Sequence, residues 1–156
     1  MDDPSDPSVP AWTPSPSAKA KNAVQRAVTA LLDELAPERV LTRGEQLRPP
    51  IEQHRTPTGC VLQAATAAVS VSWFAEADTD APLGELHVVV WRGVVSRRGS
   101  PARPEGATIV RQMELRPVER PSGDPVWRAT DGTEYDTTSL AAHCIALLEE
   151  QISRSS

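Results

Sequence analysis

The stretch ELHVVVWRGVVS, residues 85–96, decides the fold of this chain. Its apolar side chains alternate in the manner of a β-strand, but large apolar residues occupy both faces. One face carries Leu86, Val88, Val90 and Val94, and the other carries His87, Val89, Trp91, Gly93 and Val95. Apolar side chains on both faces are typical of a strand that is covered on both sides. The stretch therefore predicts a central strand of a sheet.

Further strands flank this central one along the chain. Residues 61–75 contain the alternating pattern VSVSW, and residues 107–118 place Ile109, Met113 and Leu115 on one face. Short turns separate these segments, so we expect them to pair antiparallel with their neighbours in sequence. A meander is the topology that this order predicts.

A hairpin is predicted over residues 126–135, where Asp131-Gly132 divides two β-prone runs. An Asp-Gly pair supplies the positive φ angles of a tight two-residue turn. By contrast, residues 36–59 are rich in proline and glycine and are predicted to be irregular. These segments together predict a sheet of four to five strands.

Two amphipathic helices bracket the strands. They are predicted over residues 17–35 and over residues 138–153, the second capped by Asp136 or Thr137. Their apolar stripes at helical spacing are Val24, Ala27, Val28, Leu31, Leu32 and Leu35, and then Leu140, Cys144, Leu147, Leu148 and Ile152. The expected fold class is α+β: a single antiparallel meander sheet of four to five strands with an N-terminal and a C-terminal amphipathic helix packed on one face.

The domain organisation follows from composition. Residues 1–16 hold five prolines and three serines and are expected to form a disordered tail, followed by a single domain over residues 17–153 and a frayed terminus at residues 154–156. The chain starts with acidic residues and contains no apolar run of membrane-spanning length, so we expect a cytoplasmic protein that does not bind membranes. The two cysteines, Cys60 and Cys144, are expected to be reduced and buried.

The inventory of reactive side chains favours a non-enzymatic role. His143 and Cys144 are adjacent on a predicted helix and cannot share one ion, while His54 and His87 are isolated in sequence. Glycine patterns that cradle phosphates do not occur. We therefore expect no metal site, no cofactor and no catalytic residues.

Charge singles out one loop as an anion-contact candidate. The chain carries a net charge of −5, yet residues 85–120 hold seven arginines against four acidic side chains. Three of these arginines, Arg97, Arg98 and Arg103, fall in a loop that could contact an anion or nucleic acid. The acidic flanks and the lack of aromatic stacking partners argue against nucleic acid.

The second face of the central strand is the main candidate surface. Two helices on one side of a sheet cannot also cover Trp91, so its cover comes from residues 36–59, from the tail, from a ligand or from a second subunit. The interface candidates are Trp91, Val89, Val95, His87 and Trp12. The leading hypothesis is a non-enzymatic protein-interaction module or accessory subunit that binds itself or a protein partner through this face. The alternative is a small-molecule cup or small enzyme lined by Trp73, Trp91, Trp127, Tyr135 and His87.

Overall fold

The chain folds into one antiparallel sheet between two helices in sequence. The structure, a computed structural model, describes residues 18–37, 39–40, 51–75, 81–95 and 107–155. The elements are α1 (Ala18–Glu34), β1 (Glu52–Thr56), β2 (Gly59–Gln63), β3 (Ala67–Phe74), β4 (Glu85–Arg92), β5 (Thr108–Val118), β6 (Val126–Ala129), β7 (Glu134–Tyr135) and α2 (Thr137–Ser155). The sheet order is β1 to β7 without a crossover, which confirms the α+β meander. It has seven strands, more than the four to five that were predicted.

Two extra strands arise because the sequence prediction merged β2 with β3 and treated the segment that contains β1 as irregular. The predicted strand over residues 61–75 is two strands, β2 and β3, joined by a turn in which Ala64 N–H donates to the carbonyl of Ala67 at 2.8 Å. No glycine or proline marks this turn, so alternation alone could not reveal it. The segment 36–59 was predicted to be irregular, yet it contains β1 and the start of β2.

Contacts with α1 explain why the polar sequence of β1 forms a strand. The Gln53 side chain donates to the carbonyls of Leu32 at 3.3 Å and Leu35 at 3.0 Å. Both carbonyls lie at the C-terminal end of α1, where main-chain partners run out, although the Leu32 carbonyl also accepts from Leu35 N–H at 3.2 Å. Arg55 Nη1 also lies 2.6 Å from Asp33 Oδ1. The strand is therefore held by tertiary hydrogen bonds rather than by an apolar pattern.

The β6–β7 hairpin was predicted in the right place with the wrong turn. Gly132 N–H donates to the carbonyl of Ala129 at 2.9 Å, and Ala129 N–H donates to the carbonyl of Thr133 at 2.8 Å. The loop therefore has three residues, 130 to 132, and not two. Gly132 has a φ of 91°, which fits a three-residue loop whose last residue is left-handed.

Both helices cover the same face of the sheet, as predicted. α2 contacts β3, β4, β6 and β7, and α1 packs against α2. Fully buried leucines from all layers meet in this core: Leu31, Leu32, Leu62, Leu86, Leu115, Leu140 and Leu148. Burial of each such side chain stabilises the fold by about 1.5–3 kcal/mol. Among the described residues, no helix combines the length and apolar content that a bilayer span requires.

Asp136 caps α2, one of the two alternatives that the sequence left open. Its carboxylate accepts a hydrogen bond from Ser139 N–H at 2.7 Å, and its carbonyl accepts one from Leu140 N–H at 2.9 Å. The hydrogen bond from Ser139 is the largest cause that lowers the pKa of Asp136. The first turn of α2 therefore has both a side-chain and a main-chain partner.

Candidate functional site

Trp91 lies on the face of the sheet opposite the helices, which we call the outer face. Only 2% of Trp91 is exposed, because it packs in a small cluster with Val61, Ala68 and Val95. Its indole N–H donates to Ser70 Oγ at 3.0 Å. The indole is therefore both buried and hydrogen-bonded within the chain.

Among the described residues, the cover over Trp91 comes in part from the residues that directly follow β4, since Val95 packs in the same cluster. Gln63 holds them in place, because its Nε2 donates to the Gly93 carbonyl at 3.0 Å and its Oε1 accepts from Val95 N–H at 2.9 Å. Gly93 has a φ of 103°, which allows the chain to turn back over the sheet. The sequence suggested four other sources of cover: residues 36–59, the tail, a ligand or a second subunit. Among the described residues, Val95 belongs to none of these.

The remaining interface candidates occupy different surroundings. Val89 and His87 are partly buried on the outer face, while Trp12 lies outside the described residues. A role of Trp91, Val89 or Val95 in contacting a partner stays a prediction. The anion-contact candidates Arg97, Arg98 and Arg103 also fall outside the described ranges.

The five residues that were expected to line a cup do not converge. Trp73 and Trp127 contact each other edge to face at 5.8 Å in the core beneath the helices. Trp91 lies on the opposite face, and Tyr135 stacks on His143 at 5.1 Å. A cleft of about 590 Å³ beside β1, β2 and β3 is lined by Trp73 but by none of the other four.

A cluster of two carboxylates and one imidazole lies on the outer face: Glu85, His87 and Glu114, here called the Glu–His–Glu cluster. Glu85 and His87 are two positions apart on β4, so both side chains leave the same face. Glu114 of β5 is paired directly with His87. The nitrogen and oxygen atoms that could bind an ion all lie within 4.8 Å of one another. The sheet therefore assembles this cluster from two strands.

Glu85 is the most constrained member of the Glu–His–Glu cluster. Its Oε1 lies 2.7 Å from His87 Nε2, and its Oε2 lies 3.3 Å from Arg116 Nε. The hydrogen bond from His87 is the largest cause that lowers the pKa of Glu85, and Arg116 lowers it further. The Phe74 ring packs against the His87 ring with centroids 4.8 Å apart.

A row of opposite charges continues from this cluster across the sheet. Arg116 is paired with Arg128 of β6, and Arg128 Nε donates to Glu134 of β7 at 2.8 Å. Each arginine of this like-charged pair thus has its own carboxylate partner, since Arg116 contacts Glu85. A cleft of about 480 Å³ runs along the row and is lined by Glu85, Glu114, Arg116, Pro117, Val118, Arg128, Ala129 and Thr130.

The second candidate surface is the first part of β5, residues Thr108–Glu114, here called the projecting segment. β5 has 11 residues, but β6 pairs only with its last four, from Leu115 to Val118. β4 pairs with one edge of the projecting segment. Within the described part of the chain, no strand pairs with its other edge. Ile109 and Val110 are 45% and 46% exposed there.

The sequence contains a pattern that points to the Glu–His–Glu cluster, but the pattern is missed when each histidine is considered alone. A Glu-x-His pattern within a strand puts both side chains on one face, and it occurs at Glu52–His54 as well as at Glu85–His87. His54 Nε2 lies 3.4 Å from Glu52 Oε1. Treating His87 as isolated was therefore wrong, although only the register of β4 with β5 reveals Glu114 as the third member.

The thiols are poorly suited to chemistry at either surface. Cys60 and Cys144 are free and buried. Burial raises the pKa of Cys60 to about 11 and that of Cys144 to about 12. Both thiols are therefore protonated at neutral pH, as expected of structural cysteines.

Glu114 belongs to both candidate surfaces, because it completes the Glu–His–Glu cluster and closes the projecting segment. The outer face and the open edge of the sheet thus meet at one residue of β5.

No protein-family model, no curated protein and no solved structure matches this chain.

Proposed function

We propose that this protein is a non-enzymatic interaction module that self-associates through the projecting segment of β5. The observation that carries the proposal is the length mismatch between β5 and β6. It leaves seven residues of β5 with only β4 as a neighbour among the described strands. An unpaired strand edge exposes main-chain N–H and C=O groups that can pair with another strand.

The side chains of the projecting segment support pairing rather than solvation. Its first five residues, Thr108 to Gln112, are all exposed, so neither the helices nor the cluster around Trp91 covers them. Ile109 and Val110 are β-branched and apolar, which favours an extended partner over water. Charged or proline residues that usually protect an edge are limited here to Arg111 and Glu114.

A second copy of the chain fits this edge by symmetry. In a two-fold dimer the same segment of both copies pairs antiparallel, and the contact closes without leaving a new edge. β6 ends at Ala129, opposite Leu115, so a partner segment would lie end to end with β6. Each copy has the same seven residues of β5 without a neighbour on one edge, so the two unpaired segments are equal in length.

Charge favours one register of this pairing. A two-fold axis through Arg111 would set two arginines opposite each other, which destabilises a strand pair. An axis through Gln112 sets two amides opposite each other and places Arg111 against Met113. We therefore propose the register centred on Gln112, which pairs residues 110 to 114. The partner copy's residues 108 and 109 would otherwise meet Ala129 of β6, so the chain has to bend away at the register shift beside Val110.

Light scattering during size exclusion tests the proposal on the full chain. We expect a dimer for the wild type and a monomer for Val110→Lys, because a lysine on an edge strand blocks strand addition. Val94→Lys is the matched control, since Val94 is equally apolar and 55% exposed but lies outside β5. A monomeric wild type, or equal loss of the dimer in both variants, would contradict self-association.

Cysteine crosslinking tests the register. A residue on the two-fold axis faces its own copy at a distance suited to a disulfide after small adjustments. Gln112→Cys should crosslink on mild oxidation, whereas Ser122→Cys, exposed in the turn between β5 and β6, should not. The buried native cysteines should not react. Crosslinking of both variants to the same extent would indicate random collision.

A further inference from the structure

We propose that the Glu–His–Glu cluster binds a divalent transition-metal ion of the Zn²⁺ class. One imidazole nitrogen and two carboxylates are donors that Zn²⁺ accepts in proteins. Two carboxylates also supply two negative charges against the charge of the ion. This proposal is independent of self-association, because it rests on side chains of one chain on its outer face.

The geometry needs only a small adjustment. Ligands at about 2.1 Å from a tetrahedral ion are about 3.4 Å apart. The donor atoms of the cluster already lie within 4.8 Å of one another, and His87 Nε2 and Glu85 Oε1 are 2.7 Å apart. Glu114 is exposed, so its side chain can rotate toward the other two. The backbone therefore has no need to move.

The surroundings of the cluster hold two of its members in place. The Phe74 ring packs against His87, and only 13% of the Glu85 side chain is exposed. Arg116 contacts Glu85 through Oε2, whereas Oε1 is the atom that faces His87. An ion between His87 and Glu85 would replace their mutual hydrogen bond and leave the contact with Arg116 intact. The packing of Phe74 therefore orients the imidazole, whereas the positive charge of Arg116 opposes the charge of the ion.

An ion held there would keep one position open. Three protein ligands leave a fourth site for water or for a donor atom from another molecule. Glu85, Glu114 and Arg116 also line the cleft of about 480 Å³, which gives the ion a path from solvent. The site is thus accessible and incomplete.

β1 supplies an internal control for the proposal. Glu52 and His54 have the same two-residue spacing on a strand and lie 3.4 Å apart. Among the described residues, they do not belong to any group of three potential ligands. A contribution from general histidine affinity would therefore appear equally at His54 and at His87.

Calorimetric titration of the metal-free full chain with Zn²⁺ tests the site. We expect one Zn²⁺ per chain at the cluster, at least about tenfold weaker binding for His87→Ala and for Glu114→Gln, and unchanged binding for His54→Ala. Circular dichroism should show the same fold for all variants, because the substituted side chains are not in the main core.

A gain of affinity provides a second readout. Arg116→Ala removes a positive charge beside Glu85, so we expect Zn²⁺ to bind severalfold more tightly. The proposal is overturned if the wild type binds no Zn²⁺, if His54→Ala weakens binding as much as His87→Ala, or if Arg116→Ala weakens it.

Discussion

His87 and Glu114 occupy directly paired positions on β4 and β5, and their side chains leave the sheet together on its outer face. Opposed residues of an antiparallel pair have Cβ atoms about 4.5–5.5 Å apart. The two side chains are distant in sequence and are adjacent only because the strands pair in this register. The candidate metal site depends on this single pairing.

A double-mutant cycle measures that pairing directly. In metal-free buffer we expect a coupling free energy of about 0.2–1 kcal/mol between His87→Ala and Glu114→Gln in urea unfolding. The same cycle between His54→Ala and Glu114→Gln serves as the control and should give no coupling, because β1 and β5 are not neighbours. Equal coupling in both cycles would mean that β4 and β5 do not pair as described.

Substitution of Gly84 should be among the most damaging changes to a turn. Gly84 has a φ of 103°, and a Cβ there would lie 2.3 Å from the Trp73 ring and 2.8 Å from the Phe74 carbonyl. We expect Gly84→Ala to lower the free energy of unfolding by about 2–4 kcal/mol, because it adds a clash to backbone strain.

Gly123→Ala separates these two effects in the same denaturation experiment. Gly123 has a φ of 100°, but nothing lies within 4 Å of the added Cβ. It should therefore lose only about 1–2 kcal/mol from backbone strain. A loss as large as that of Gly84→Ala would show that contact with Trp73 does not matter.

Gln63 should control the exposure of Trp91. Gln63→Ala removes the acceptor of Val95 N–H and a donor to the Gly93 carbonyl, so we expect a loss of about 1–3 kcal/mol. Release of Val95 should also raise quenching of tryptophan fluorescence by acrylamide. Gln25→Ala, on the exposed side of α1, should change neither quantity. Unchanged quenching in Gln63→Ala would show that this side chain does not hold the cover.

The cap of α2 should make stability depend on pH in acid. The pKa of Asp136 is lower in the folded chain, chiefly through the Ser139 hydrogen bond. The contribution of Asp136 to the free energy of unfolding is therefore complete above its unfolded pKa of about 3.9. It is lost as the pH falls through the pKa of Asp136 in the folded chain. Asp136→Ala should lose about 0.5–2 kcal/mol at neutral pH, and this loss should shrink in acid.

Asp136→Asn is the control for the charge, because asparagine caps a helix without ionising. Its unfolding free energy should lie near that of the wild type at neutral pH and should lack this part of the acid dependence. A loss for Asp136→Ala that stays constant from neutral pH to acid would contradict the role of the ionised carboxylate.

The two core tryptophans should differ in their response to loss of the indole N–H. Trp127 Nε1 donates to Thr137 Oγ1 at 3.2 Å, whereas the buried Nε1 of Trp73 has no hydrogen-bond partner among the described residues. Trp127→Phe should therefore be the more destabilising change, by about 1 kcal/mol. Urea unfolding of the two variants decides this, and a costlier Trp73→Phe would indicate that its N–H does have a partner.

Sequence patterning predicted the elements whose burial is periodic. The first helix was expected over residues 17–35 and spans Ala18–Glu34, and the central strand was expected to begin at Glu85, where β4 begins. In both cases the apolar stripe is set by residues within one element. β1 could not be predicted from an apolar pattern, because its residues are polar and hydrogen bonds from Gln53 hold it against the end of α1.

The candidate surfaces were less accessible to prediction, because each depends on pairing between distant segments. Two apolar faces on the central strand correctly indicated cover over Trp91, but not that Val95 supplies it. The exposed edge at Ile109 follows from the shortness of β6, and no local pattern reports how much of a strand its neighbour covers. The register shift opposite Val90 and Trp91 is likewise invisible in the alternation of β5.

The sequence by itself determined the two-sided apolar strand, which spans residues 85–92 of the predicted 85–96, the two helices and the α+β class, since periodic burial is a property of each segment alone. Only the tertiary structure decided what lies against the second face of that strand and which side chains meet on it. Strand pairing and the register shift between β4 and β5 set those contacts, and both depend on residues that are far apart in the chain. Trp91 is thus buried by its own chain, while His87 and Glu114 meet beside it in register.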